Sequence, residues 1–153
     1  MSKRRVVVTG MGIVSPLGND LASNWDGIVN GRSGIGMVEG FDASTYPTRI
    51  AGEIRDFDIT RWVSPKDAKK MDHFIHYGVA ASVMAIADAG LEVTEANAER
   101  IGALIGSGIG GIWGIEETAI KLHEGGVRKV SPFYVPSTII NMLPGQVSLL
   151  TGI

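Results

Sequence analysis

Glycine restricts the fold of this chain more than any other residue type. The sequence contains 21 glycines among 153 residues, about twice their ordinary frequency. Several of them stand in clusters beside apolar runs, as at Gly106, Gly108, Gly110 and Gly111. Because glycine has no Cβ, such clusters indicate tight turns and close approach of backbone segments rather than disordered low-complexity sequence.

The remaining composition argues against several classes of function. A hydrophobic fraction of 44% and a charged fraction of 20% are typical of a soluble globular domain. The net charge of −2 favours neither nucleic acid nor an anionic membrane, and no apolar run approaches the roughly 18 residues of a membrane helix. There is no cysteine, so the chain has no disulfide, no thiolate zinc site and no thiol nucleophile. The basic residues at the start are followed by an apolar stretch, as in a signal peptide, but glycines interrupt that stretch too early for one. A cytoplasmic location is therefore expected.

Three segments predict strands. Residues 5–9 and 101–105 are apolar runs bounded by charge or glycine, which is typical of buried strands. A further strand is expected at residues 50–54, within a stretch that is otherwise rich in turns.

Two helices are predicted in the first part of the chain. A short one is capped by Asn19 or Asp20 and ends at Gly31. Its apolar face comprises Leu21, Trp25, Ile28 and Val29. The second begins at Ser64, where serine, proline and an acid form a capping pattern, and it continues to Gly90 as a core helix. Its apolar positions are Met71, Phe74, Ile75, Val79, Val83, Ile86 and Ala87.

The last third of the chain predicts one more helix and an apolar end. A helix is expected from residue 112 to about residue 123, ended by a pair of glycines. After a loop that holds Pro132 and Pro136, the apolar segment 137–150 is expected to bend at Pro144.

Strands that alternate with helices predict an α/β fold with a mostly parallel sheet. Two or three strands are few for such a sheet, and the final residues are apolar. A parallel sheet needs cover on both faces. We therefore expect residues 1–153 to be part of a larger domain with an incomplete sheet, and an isolated chain to be marginally stable or to aggregate.

A dinucleotide site is the first alternative that the glycines raise. Residues 106–111 read Gly-x-Gly-x-x-Gly between a predicted strand and a predicted helix, where a pyrophosphate could lie on the helix amino terminus. No acidic residue follows about 20 positions later to bind a ribose. The earlier loop at residues 10–15 lacks the third glycine. Packing is the preferred explanation for these glycines.

The histidines do not predict a catalytic or metal site. His73, His76 and His123 are the only ones in the sequence, and no carboxylate-plus-histidine metal signature surrounds them. We expect them to be polar residues on helix surfaces. Neither a metal nor a cofactor is predicted.

Two basic groups suggest an acidic partner. Lys66, Lys69 and Lys70 cluster at one helix start, and Arg128 and Lys129 follow a glycine turn. A cation near a helix amino terminus lowers the stability of the helix by about 0.3–1 kcal/mol, which suggests that these lysines have a functional role. The alternative is an ordinary solvated surface.

Several motifs, in order and across the whole chain, resemble the β-ketoacyl-acyl-carrier-protein synthase family, and its type II branch most closely. The resemblance rests on residues 4–12 (RRVVVTGMG), 15–18 (SPLG), 70–72 (KMD), 102–111, 131–133 (SPF), 135–138 (VPST) and 141–142 (NM).

The resemblance implies a thiolase-like fold of two similar layered α/β halves, of which this chain would form the amino-terminal part, usually in a homodimer. It implies an acyltransferase of fatty acid biosynthesis that joins acyl-carrier protein and malonyl-carrier protein in a decarboxylating Claisen condensation. The family's cysteine nucleophile is expected about ten residues beyond Ile153 and its two histidines further on. The 153 residues alone are therefore expected to be inactive.

By the same resemblance, Ile109 lines the far end of the acyl pocket, and the aromatic at Tyr134 reaches the pocket of a partner subunit. The five basic residues fall where relatives dock the acidic carrier protein, which strengthens their electrostatic interpretation. Two alternatives within the family remain open: a noncatalytic chain-length factor, with another residue in place of the cysteine, and a polyketide ketosynthase.

Overall fold

The computed structural model describes residues 3–153, which form six α-helices, three short 3₁₀ turns and one small sheet. The α-helices are α1 (Leu21–Val29), α2 (Pro65–Ala68), α3 (His73–Asp88), α4 (Ile112–Gly125), α5 (Tyr134–Thr138) and α6 (Met142–Thr151). The strands are β1 (Ile35–Met37) and β2 (Ile50–Gly52), and the 3₁₀ turns are Ile59–Arg61, Ala98–Arg100 and Val127–Lys129. Within the described residues, no helix has both the length and the apolar character needed to cross a membrane.

The core forms where α3 crosses α6. Ile75 and Val79 of α3 are fully buried, and Leu143 and Val147 of α6 are 3% and 2% exposed. A Cβ on Gly78 would lie 2.5 Å from the Leu143 methyl carbons, so this glycine lets the two helices approach closely. The prediction of a core helix in this region is confirmed.

The predicted helix over residues 64–90 is in fact two helices. Ser64 caps α2 as expected, because its Oγ accepts a hydrogen bond from the Asp67 amide at 3.1 Å. The chain then leaves the helix, and Asp72 has an extended backbone (φ −76°, ψ 162°) before α3 begins. The physical reason is tertiary: the Asp72 amide donates to the Ser137 carbonyl at 3.4 Å, and its carboxylate bonds to α4.

The two predicted buried strands do not form. Residues 5–9 and 101–105 belong to no strand, and Val6 and Leu104 are 86% and 101% exposed. Ala103 and Ile105 nevertheless pack against the core, so the second segment keeps a strand-like alternation of buried and exposed side chains. A strand requires hydrogen bonds to a neighbouring strand, and neither segment has such a partner among residues 3–153.

The observed sheet pairs β1 with β2 antiparallel, with Ile35 opposite Gly52. The strand expected at residues 50–54 is therefore confirmed at Ile50–Gly52. The expected mostly parallel sheet does not form among the described residues, because the segments that would build it are unpaired.

Helix α1 has the predicted cap and a different buried face. The Asp20 carboxylate accepts from the Ser23 amide at 2.7 Å, and Gly31 takes a φ of +65° just after the helix. The buried residues are Asn24 and Gly27, whereas the predicted apolar face is exposed. Asn24 is buried because its amide donates to the Gly18 and Asp20 carbonyls and its oxygen bonds to the Ser15 hydroxyl.

Two prolines near the end of the chain lie in the first turns of helices. Pro136 and Pro144 are each the third residue of their helix. An amide in the first turn has no partner within its helix, so proline costs little there. The apolar segment 137–150 is interrupted at residues 139–141, between α5 and α6, and not at Pro144 as expected, and Pro136 lies in a helix instead of a loop. Helix α4 ends as predicted, and Gly126 has a φ of +72° after it.

Candidate functional site

A cleft of about 410 Å³ opens between the start of α3, one face of α4 and the segment before α5. We call it the basic cleft. Its lining includes Lys69, Asp72, His73, Trp113, Gly114, Glu117, Lys121, Lys129, Phe133 and Tyr134. With histidine neutral, three lysines and two carboxylates leave it with a net charge of +1.

One residue from each of the two predicted basic groups lines this cleft. Lys69 from before α3 and Lys129 from after α4 both line it, although 60 positions separate them in the sequence. A Cβ on Gly125 would lie 2.5 Å from the Lys129 Cγ, so the aliphatic part of Lys129 packs over the last turn of α4. A cation at the carboxyl end of a helix is favoured by the helix dipole. The other three predicted residues, Lys66, Lys70 and Arg128, do not line the cleft.

The basic residues differ in how strongly they are already neutralised. Lys70 Nζ lies 2.6 Å from an Asp67 carboxylate oxygen and 5.6 Å from the centre of the Phe133 ring. Lys121 is paired with Glu117 at 2.7 Å. Over residues 3–153, Lys66, Lys69, Arg128 and Lys129 form no ion pair. Lys69 and Lys129 are therefore the cleft cations most available to an external anion.

The amino terminus of α4 already holds an anion. Asp72 Oδ2 accepts a hydrogen bond from the Gly114 amide at 2.7 Å. Gly111 and Gly114 make room for it, because a Cβ at either position would lie 3.0 or 2.8 Å from Oδ2. The place where a bound pyrophosphate would lie is thus filled by a side chain, which argues against the dinucleotide interpretation.

The packing explanation holds for only part of the glycine cluster. Gly110 has a φ of +80° and its Cβ would meet the Thr138 carbonyl at 2.6 Å. In contrast, a Cβ at Gly106 or Gly108 would meet no atom within 4 Å. These two glycines have no packing role among the described residues.

Of the three histidines, His73 links α3 to α4 through an aromatic contact. The His73 ring lies 5.9 Å from the Trp113 ring, centre to centre, at 69°, which is an edge-to-face contact across the cleft. Residues 3–153 contain no group of three histidine, cysteine or acidic side chains close enough to hold a metal ion. His73 and His123 are exposed as expected, but His76 is half-buried, with Nε2 2.9 Å from the Ala68 carbonyl oxygen.

Burial makes the pKa of His76 differ between the folded and unfolded states. Loss of solvation lowers the pKa of His76 below its ordinary value of 6.5, and nearby His73 acts in the same direction, while the Ala68 carbonyl and Asp72 oppose them. The folded state therefore binds fewer protons than the unfolded state. This contribution to stability is complete well above pH 6.5 and is lost as the pH falls from there towards the lowered pKa.

We expect His76→Gln to flatten the pH dependence of the urea midpoint between pH 7.5 and 5. The wild type should lose stability across this interval, whereas the lowered pKa values of Asp20 and Asp67 place their losses below the ordinary carboxylate value of 3.8. His123→Gln, at an exposed position, is the matched control and should keep the wild-type slope. An unchanged slope in His76→Gln would contradict the assignment.

The two residues predicted to contact acyl chains lie apart. Tyr134 begins α5 and lines the basic cleft. Ile109 is 66% exposed in the turn before α4, outside the cleft. Their acyl-binding roles stay predictions. Sequence reasoning did not identify Asp72, Trp113 and Lys121 as cleft residues. The Lys-Met-Asp motif at residues 70–72 was the one signal from which Asp72 could have been singled out.

Solved structures with the same fold are ketosynthases. One is described as a type II PKS acyl-carrier protein in complex with its ketosynthase bound to the hexaketide; it matches with a TM-score of 0.80 and 29% identity, over 99% of this chain and 41% of that one. Another is described as the ishigamide ketosynthase/chain length factor, with a TM-score of 0.80 and 28% identity over 98% of this chain and 38% of that one. The architecture is that of part of a ketosynthase.

The chain belongs to the β-ketoacyl synthase family, whose N-terminal domain matches residues 3–153. Among its relatives, the 3-oxoacyl-[acyl-carrier-protein] synthase 2 of Vibrio harveyi is 56% identical over 153 residues, and that of Vibrio cholerae is 55% identical. The enzyme of the same name from Coxiella burnetii is 47% identical over 149 residues. The matches to the two Vibrio proteins cover the whole of this chain but only 37% of the length of each relative.

Proposed function

We propose that this chain is the amino-terminal part of a 3-oxoacyl-acyl-carrier-protein synthase that elongates fatty acids. The observation that carries the proposal is the pair of lysines, Lys69 and Lys129, which line one cleft and form no ion pair within residues 3–153. An acidic carrier protein is the partner that such a surface fits. The ketosynthase neighbour with a bound acyl-carrier protein and the relatives' names support the same partner.

In this proposal the intact enzyme has a thiolase-like layered fold, forms a homodimer and works in the cytoplasm. Its substrates are acyl-acyl-carrier protein and malonyl-acyl-carrier protein. A cysteine thiolate accepts the acyl group and releases the first carrier; the malonyl group then loses carbon dioxide, and the resulting carbanion attacks the thioester, forming the new carbon–carbon bond and expelling the thiolate. This chain contains no cysteine, so its own contribution is binding and orientation of the carrier.

The test is condensation by the full-length protein. Incubation with acyl-carrier protein bearing an acyl chain and with malonyl-carrier protein should release carbon dioxide and give a 3-oxoacyl product two carbons longer. Mass spectrometry should also detect an acyl-enzyme. If neither product nor acyl-enzyme forms while the carrier still binds, the second candidate applies: a noncatalytic chain-length factor, which the ketosynthase/chain length factor neighbour favours. If no carrier binds, both candidates fail.

Ile109 provides a separate test of the acyl pocket. In the full-length protein, Ile109→Phe is expected to reduce transfer of a long acyl chain by about tenfold or more, because the larger ring occupies the far end of the pocket. Transfer of a short chain should change much less. Ile109→Val removes one methylene and should leave both rates close to wild type. Equal loss for long and short chains with Ile109→Phe would remove Ile109 from the pocket wall.

A further inference from the structure

Asp72 connects three walls of the basic cleft. It occupies the amino-cap position of α3, but its carboxylate makes no hydrogen bond to that helix. Instead, Oδ2 accepts from the Gly114 amide in the first turn of α4 at 2.7 Å, and the Asp72 amide donates to the Ser137 carbonyl of α5 at 3.4 Å. One residue therefore ties the start of α3 to both other helices.

Two glycines at the amino terminus of α4, Gly111 and Gly114, leave room for the Asp72 carboxylate. The amino cap of α4 is Gly111, which has no side chain to satisfy the first amides of the helix. Asp72 supplies the missing acceptor from a different helix. Because a Cβ on Gly114 would lie 2.8 Å from Oδ2, any other residue there would push the carboxylate away.

The charge of Asp72 works against binding of an acidic partner. Its carboxylate lies in the same cleft as Lys69 and Lys129 and would repel an incoming anion. Its favourable contribution is the hydrogen bond to Gly114, which holds the segment bearing Lys69 against α4, and Lys129 lies in the 3₁₀ turn that follows α4. The negative charge of Asp72 is therefore expected to weaken binding of an acidic partner, and its hydrogen bond to strengthen it. Substitutions that remove only the charge, or both the charge and the bond, distinguish the two effects.

We propose that Asp72 is a positioning residue for carrier docking: its bond to Gly114 fixes the spacing of Lys69 and Lys129 before the partner arrives. This inference rests on the proposed function, and it adds a residue that does not touch the carrier. A preorganised pair of cations loses less conformational freedom on binding, which increases affinity.

The test compares two substitutions in the full-length protein by calorimetric titration with acyl-carrier protein. Asp72→Asn keeps an oxygen acceptor for the Gly114 amide and removes the charge, so it should bind the carrier as tightly as the wild type or up to a few times more tightly. Asp72→Ala removes the acceptor and should bind about tenfold more weakly, as expected for loss of a charge-assisted hydrogen bond. Exchange of the Gly114 amide hydrogen, measured by NMR, should accelerate in Asp72→Ala and stay slow in Asp72→Asn.

Controls separate positioning from general loss of structure. Asp20 also accepts an amide hydrogen bond at a helix amino terminus, in its case that of its own helix α1 and outside the cleft, so Asp20→Ala should lower stability without changing carrier affinity. Should Asp72→Ala not fold, Gly114→Ala displaces the carboxylate while leaving Asp72 in place, and it should weaken binding similarly. Tighter binding by both Asp72→Ala and Asp72→Asn would show that Asp72 acts only through its charge and would overturn the proposal. A wild type that does not bind the carrier would overturn the proposed function itself.

Discussion

Reversing the charge of Lys69 and Lys129 together is expected to weaken binding of acyl-carrier protein by about 30- to 100-fold at low salt. The double variant Lys69→Glu/Lys129→Glu replaces two available cations with two anions in one cleft, so attraction becomes repulsion. Titration calorimetry at several salt concentrations measures the effect. The difference between variant and wild type should shrink as salt increases, because exposed charges are screened over about 8 Å at physiological ionic strength.

Two matched variants determine whether position or total charge is responsible. Arg100→Glu changes the charge by the same amount per residue on a 3₁₀ turn that does not line the cleft, and it should have little effect. Lys70→Glu affects a lysine that Asp67 already pairs with at 2.6 Å, so its effect should be smaller than that of Lys69→Glu. If Arg100→Glu weakens binding as much as either cleft variant, the docking surface is not the basic cleft.

Gly12→Ala is expected to destabilise the protein by about 3 kcal/mol or more, because it overpacks a backbone contact. A Cβ on Gly12 would lie 2.0 Å from the Ala81 carbonyl oxygen and 2.7 Å from the Ala85 amide nitrogen of α3. Neither backbone atom can move without distorting the core helix. Urea unfolding followed by tryptophan fluorescence should show a much lower midpoint.

Gly145→Ala is the matched control for that substitution. Gly145 lies inside α6, and an added Cβ would meet nothing within 4 Å. Alanine is the better helix former, so this variant should gain about 0.5–1 kcal/mol. The same chemical change is thus expected to act in opposite directions at two glycines. Equal stability of Gly12→Ala and wild type would mean that Gly12 does not pack against α3.

The elements predicted correctly are those specified by local chemistry. Ser64 and Asp20 each accept a hydrogen bond from an amide three residues later, and this pattern is readable from neighbouring residues. The apolar spacing of α3 predicted the burial of Ile75 and Val79. The ends of α1 and α4 followed from Gly31 and Gly126, which adopt positive φ angles. None of these signals depends on distant parts of the chain.

The errors arose where long-range contacts compete with local preference. The spacing of apolar residues from 64 to 90 is compatible with one helix, but Asp72 bonds to α4 and α5 and interrupts it. The apolar stripe on α1 predicted a buried face, yet polar Asn24 is buried because three partners satisfy its side chain. A valine run predicted a strand, but β-structure requires hydrogen bonds from another segment, which a local pattern does not contain.

For the candidate site, the sequence by itself determined the ingredients: five basic residues in two groups, no cysteine, and motifs that match the β-ketoacyl synthase family. Only the tertiary structure decided that Lys69 and Lys129 share one cleft and that Asp72 fills the amino terminus of α4. The physical reason is distance along the chain. Capping and helix periodicity act over a few residues, whereas the electrostatics of a cleft depend on side chains that folding brings together from 40 to 60 positions apart.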